Sequence, residues 1–165
     1  DEVDFLKDNI NSYLLSITSG NIDKQRTNEA FEMMYTIKEL EQIADRIFKN
    51  YNDKAEEWVL SEHEFSEDGK KELADYHLQV IKQISRAVEV FRDVNLEKAE
   101  HMKMKHKKYR NYAMELEKNH YKRLLKSVEE SLSSTDMHLE LLSVMETIYS
   151  HSTNIARIIL KWSNN

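Results

Sequence analysis

The chain has 165 residues, with two Gly, no Pro, no Cys and a net charge of −6. Its length suits one domain, or two small halves around a shared core. So few turn residues exclude a sheet-rich fold, and zero Cys excludes disulfides, thiolate metal sites and Cys nucleophiles while fitting a reducing compartment. No apolar run approaches the ~20 residues of a membrane-spanning helix, and no apolar leader is seen. The opening D-E-V-D-F-L is already in helical rhythm without a starting Met, which reads as a piece of a longer protein.

Apolar residues recur at steps of three and four throughout, which predicts an all-α antiparallel bundle of amphipathic helices. The first helix is predicted from Val3 to Thr18, with a stripe of Val3, Leu6, Ile10, Tyr13, Leu14 and Ile17. Ser19-Gly20-Asn21 stops it, with Gly20 as a left-handed cap. Asp23 is the N-cap of the second helix, Lys24 past Tyr51 and toward Trp58. Its stripe is Ala30/Phe31, Met34, Ile37, Leu40, Ile43/Ala44, Ile47/Phe48 and Tyr51. Ser61 to Ser66 reads as a loop. Ser66 caps a third helix carrying Leu73, Tyr76/His77, Val80, Ile84, Ala87/Val88 and Phe91. Asp93-Val94-Asn95 interrupts, and Asn95 caps the fourth. That helix has a heptad stripe, Ala99, Met102, His106, Tyr109, Ala113, Leu116 and His120, and continues to Val128 before a Ser-rich break from Ser131 to Thr135. The last helix, Met137 to Trp162, is the expected centre. Its stripe is Leu141, Met145, Ile148, Ser152, Ile155, Ile159 and Trp162, with Glu146, Ser150, His151 and Asn154 on or beside it.

Charge is unevenly spread. Residues 98–126 hold ten Lys and Arg against three acids, whereas residues 1–97 hold 12 basic and 22 acidic residues. The stripe of the fourth helix should leave Lys103, Lys107, Lys108, Arg110, Lys118 and Lys122 in water as a basic docking face. Such a face suits phosphates, acidic protein loops or an anionic membrane surface, or only keeps a bundle soluble. The overall acidity argues against nucleic acid.

Glu41 and Asp45, four apart, share a helix face and offer oxygen ligands for a divalent or iron-type ion. The plainer reading is a solvated acidic turn. Glu146 and His151 are five apart, not the three of a di-metal Glu-x-x-His pair. His151 and Asn154 read as satisfied polar groups that fix helix register. His120, on its helix stripe, reads as packed or hydrogen-bonded, and His138 is one of several scattered histidines. No Ser-His-acid triad and no Gly-rich phosphate loop exist, so no enzyme is expected.

The stretch Glu39-Leu40-Glu41-Gln42-Ile43-Ala44-Asp45 resembles the signature of PhoU-type phosphate-uptake regulators. The stretch Met145 to Ala156 resembles its repeat, with Ser150-His151 in place of the acid. That version, with Asn119 to Leu124 and Ser133 to Leu142, is similar to the C-terminal domain of bacterial sodium/phosphate cotransporters. The resemblance implies two related three-helix bundles, about 1–60 and 61–165, the first short of its leading helix. It also implies a cytoplasmic place at the inner face of the membrane, regulation rather than catalysis, and a phosphate transporter's membrane domain in the same chain as partner. A homodimer is left open. The family's metal-holding acids map to Glu41, Asp45 and Glu146; Ser150 removes a ligand, which leaves a single ion or none. The rival readings are a metal-carboxylate bundle and a helical scaffold without metal.

Overall fold

A computed structural model of the chain describes residues 2–20, 23–61, 64–126, 132 and 134–162. Asn21, His63, Val128, Ser131 and Ser133 lie outside the described residues. The described elements are all helical: α1 (Glu2–Thr18), α2 (Lys24–Arg46), a π-helical turn (Ile47–Tyr51), α3 (Asn52–Leu60), α4 (Glu67–Asp93), α5 (Leu96–Leu125) and α6 (Thr135–Trp162). The protein is an all-α helical bundle.

The helix starts follow local chemistry. Each N-terminal turn has backbone N–H groups without helical partners. Asp23 accepts from Arg26 N at 2.9 Å, Ser66 from Gly69 N at 3.2 Å and Asn95 from Lys98 N at 2.9 Å. The left-handed cap differs from the expectation. No described Gly has positive φ; instead Val94 takes φ 48 at the end of α4. That conformation is costly for a β-branched residue and is held between the end of α4 and the Asn95 cap.

Cross-helix bonds give the packing directions. Gln83 donates to Thr153 at 3.0 Å, and Gly69 passes close to His138, so α4 and α6 run parallel. His106 meets Ser150 and His120 meets Thr135, so α5 runs antiparallel to α6. Glu39 meets His151 and Lys54 meets Glu140, so the α2–α3 rod is antiparallel to α6 on another side. The last helix is therefore packed by α2, α4 and α5 and is buried on more than one face. Beside the expected Leu141, Met145, Ile148, Ser152, Ile155 and Ile159, it buries His138, Leu142, Tyr149, Thr153 and Ala156. Each fully buried aliphatic side chain here contributes ~1.5–3 kcal/mol.

α1 is a correction. Its apolar stripe does not enter the core: Leu14 is its one buried residue, while Tyr13 is 66% exposed and Leu6 51%. The side that meets α2 is the polar one, carrying Asp4, Lys7 and Asn11 with Leu14. Phe31, Phe48 and Val88, read as stripe residues, are also exposed.

Candidate functional site

The predicted acidic pair gains a third member. Asp4 of α1 brings its carboxylate beside Glu41 and Asp45, and one ligand atom from each lies within 4.8 Å of the others. Two ammonium groups share the cluster. Lys7 lies 3.3 Å from Asp4 and 3.7 Å from Glu41, and Lys49 lies 2.7 Å from Asp45. The Lys7 bond holds the Asp4 carboxyl below its ordinary range, and Asp4 and Asp45 in turn raise Lys7 and Lys49. Three acids with two lysines already in place suit an ion-pair network better than a multinuclear metal centre, whose carboxylates must face the ions. Glu146 is not brought to this cluster. It sits 3.7 Å from Arg110, toward α5.

A second polar chain joins α2, α5 and α6. A carboxylate only accepts, so His151 Nδ1 carries a proton and donates to Glu39 at 2.7 Å, while Asn154 donates to the same oxygen at 3.2 Å. Arg157 donates to Asn154 at 2.6 Å and to His106 Nδ1 at 3.3 Å. That bond fixes the other ring nitrogen as the donor, and His106 Nε2 gives its proton to Ser150 at 3.3 Å. Burial first, then Arg157 and Arg110, push the His106 pKa down, which keeps the ring neutral in this role. Sequence spacing put His151 and Asn154 in a register-fixing role, and Glu39 is the partner it could not supply.

The third group is at the paired N-terminal ends of α4 and α6. His120 and His138 stack, with ring centroids 4.5 Å apart and planes 18° apart. Thr135 donates its hydroxyl to Leu132 O, so His120 Nε2 donates to Thr135, and among the described residues its buried Nδ1 is left without a partner, as is His138 Nε2. Burial, then the neighbouring His120 and Arg123, push the His138 pKa down to about 3. Beside them Arg123 and Glu72 form a largely buried ion pair at 2.8 Å, which Asn119 extends at 3.4 Å. His120 is packed and hydrogen-bonded, as its place on the stripe predicts; His138 carried no such signal, and the structure makes the two one unit.

The six α5 residues of the expected docking face, Lys103, Lys107, Lys108, Arg110, Lys118 and Lys122, are all exposed. Lys103 pairs with Glu100, Arg110 with Glu146, and Lys122 donates to Asn119. Lys118 has no ion-pair partner among the described residues and does not line the groove between α4 and α5. Lys107 and Lys108 do line it. Lys82 of α4 joins them there, with Leu78 and Met104 as apolar walls, Tyr109 and Tyr112 between, and Asp75 and Glu115 as the acids present. The groove encloses about 1020 Å³. Lys82 could not be foreseen, since nothing in its neighbourhood marks α4 as basic. No described helix is long and apolar enough to cross a membrane.

Fold and site together define an all-helical bundle whose buried polar groups are organised around α6, with a lysine-lined groove on the α4–α5 side. Over 161 residues, 98% of the chain, the sequence is 24% identical to the "Putative inorganic phosphate export protein YjbB" of Salmonella typhimurium strain LT2. It is 22% identical to the proteins of the same name from Escherichia coli O157:H7 and Escherichia coli strain K12. The chain spans 30% of the length of these relatives. No protein-family model matches it, and no solved structure does.

Proposed function

We propose that this chain is a non-catalytic accessory module of inorganic phosphate handling, which docks on the membrane domain of a phosphate transporter and biases its activity. The observation that carries this reading is the similarity itself. It runs through 98% of the chain yet takes up 30% of a longer phosphate export protein, the relation expected of a module within a transporter. The resemblance of residues 39–45 and 145–156 to phosphate-uptake regulators, and to the C-terminal part of sodium/phosphate cotransporters, supports the same assignment. Docking would use the α4–α5 groove, where Lys82, Lys107 and Lys108 have no carboxylate within ion-pair reach among the described residues. Acidic loops of a transporter, or the anionic inner face of the membrane, would complement them. Contact at one face acts on a transporter only if it favours one of its conformations.

The test is phosphate flux in vesicles carrying a phosphate transporter, with and without this chain fused to it. Flux should change with the chain present, and Lys82→Glu/Lys107→Glu/Lys108→Glu should abolish the change while the variant stays folded. Unchanged flux in both cases would sink the proposal.

A further inference from the structure

We infer that the cavity between α3, α4 and α6 is a binding site for a single-chain anionic amphiphile, a fatty-acid carboxylate. This goes beyond the docking reading and does not depend on it. The cavity measures about 350 Å³, within the lower range of small-molecule sites, ~300–1,000 Å³. Two aromatic pairs line it. Tyr51 and His77 stack with planes 7° apart, and Trp58 and Phe65 stack at 4.9 Å between centroids. Leu73, Leu141 and Met145 supply its buried apolar surface. The π-helical turn ends at Tyr51, and π turns occur often where a helix is reshaped around a site.

Such a lining gives water few partners, and covering the apolar surface that this half-open cleft leaves toward solvent is favourable. An alkyl chain covers it. The head group follows from the one ammonium in the lining. The Lys70 side chain is 34% exposed, so it stands at the mouth with its charge toward solvent. Its present partners, Glu64 and Glu67, are 74% and 91% exposed. Ion pairs that exposed are weak and exchange readily for another carboxylate.

Trp58 reports on the cavity directly. The chain has two Trp, so Trp162→Phe leaves Trp58 as its sole indole. Titrated with decanoate below its micelle concentration, this variant should show a saturable blue shift of Trp58 emission. Lys70→Gln should weaken decanoate binding by about five-fold or more, a loss of about 1 kcal/mol, and leave decanol binding unchanged. Ala74→Phe, or Ala55→Phe if the first variant does not fold, fills the cavity and should abolish both responses with helical circular dichroism retained. A linear, unsaturating response, or one that survives in the filled variant, would mean surface partition and overturn the site. Equal decanoate affinity in Lys70→Gln would overturn the anionic class of ligand.

Discussion

The imidazole rings of His120 and His138 lie stacked and buried, each 1% exposed, with one ring nitrogen of each lacking a partner among the described residues. Two stacked rings cannot both carry charge without repulsion, and burial disfavours the charged form of each. The fold therefore holds the neutral form of His138, with its pKa lowered from 6.5 to about 3. The unfolded chain takes up this proton near 6.5, so the contribution to stability is full above that pH. It is lost progressively as pH falls from 6.5 toward 3, at roughly 1.4 kcal/mol per unit. Urea unfolding at pH 7, 5.5 and 4.5 should show this decline, and His138→Phe should make it shallower, the lowered pKa values of His120 and His106 supplying the rest.

Ile155 is fully buried on α6. Ile155→Asp places an unpaired charge there, at a cost of ~3–5 kcal/mol or more. That is a large part of a typical domain's stability, ~5–15 kcal/mol. The variant should lose cooperative thermal unfolding by near-ultraviolet circular dichroism. A melt close to wild type would remove α6 from the centre of the fold.

Lys7 and Lys49 occupy the acidic cluster of Asp4, Glu41 and Asp45. Millimolar Mg²⁺ or Mn²⁺ should therefore leave the wild-type Tm unchanged. Lys7→Met/Lys49→Met uncovers the three carboxylates and should gain a metal-dependent rise in Tm through linkage, which Glu41→Gln/Asp45→Asn should remove. A metal-dependent rise in the wild type would show instead that an ion displaces the lysines.

Glu39 ties α2 to α6 through His151 and Asn154. Both side chains of the His151 pair are about one-fifth exposed, 21% and 19%, which puts the loss in Glu39→Ala at ~1–3 kcal/mol. A double-mutant cycle with His151→Ala, read from urea midpoints, should give non-additive losses, because each single change breaks the same bond. Additive losses would mean that the two residues act separately.

The lysines of the α4–α5 groove should bind anionic lipid vesicles and not neutral ones, with affinity falling steeply between low and physiological salt. Lys82→Gln/Lys107→Gln/Lys108→Gln should weaken binding and hardly move Tm, since exposed positions contribute little to folding. Equal, negligible binding to both vesicle types would restrict docking to a protein surface.

The helical class, three N-caps and the central helix were legible in the sequence because each depends on neighbours three or four residues away. Periodicity reports such local geometry directly: Leu141 through Ile159 are buried as spaced, and Asp23, Ser66 and Asn95 cap as placed. It does not report which stripes find a partner. The stripe of α1 is as regular as that of α6, yet all of it but Leu14 stays exposed, because no described helix covers it and α1 meets α2 through Asp4, Lys7 and Leu14. The polar constellations depend wholly on tertiary contacts. His120 and His138 become a pair because α5 returns antiparallel along α6. Glu39 finds His151 across more than a hundred residues of chain. Lys82 joins Lys107 and Lys108 because α4 and α5 form a hairpin. A side chain's helix and face are set by its own few turns, but its partner is set by how the helices pack.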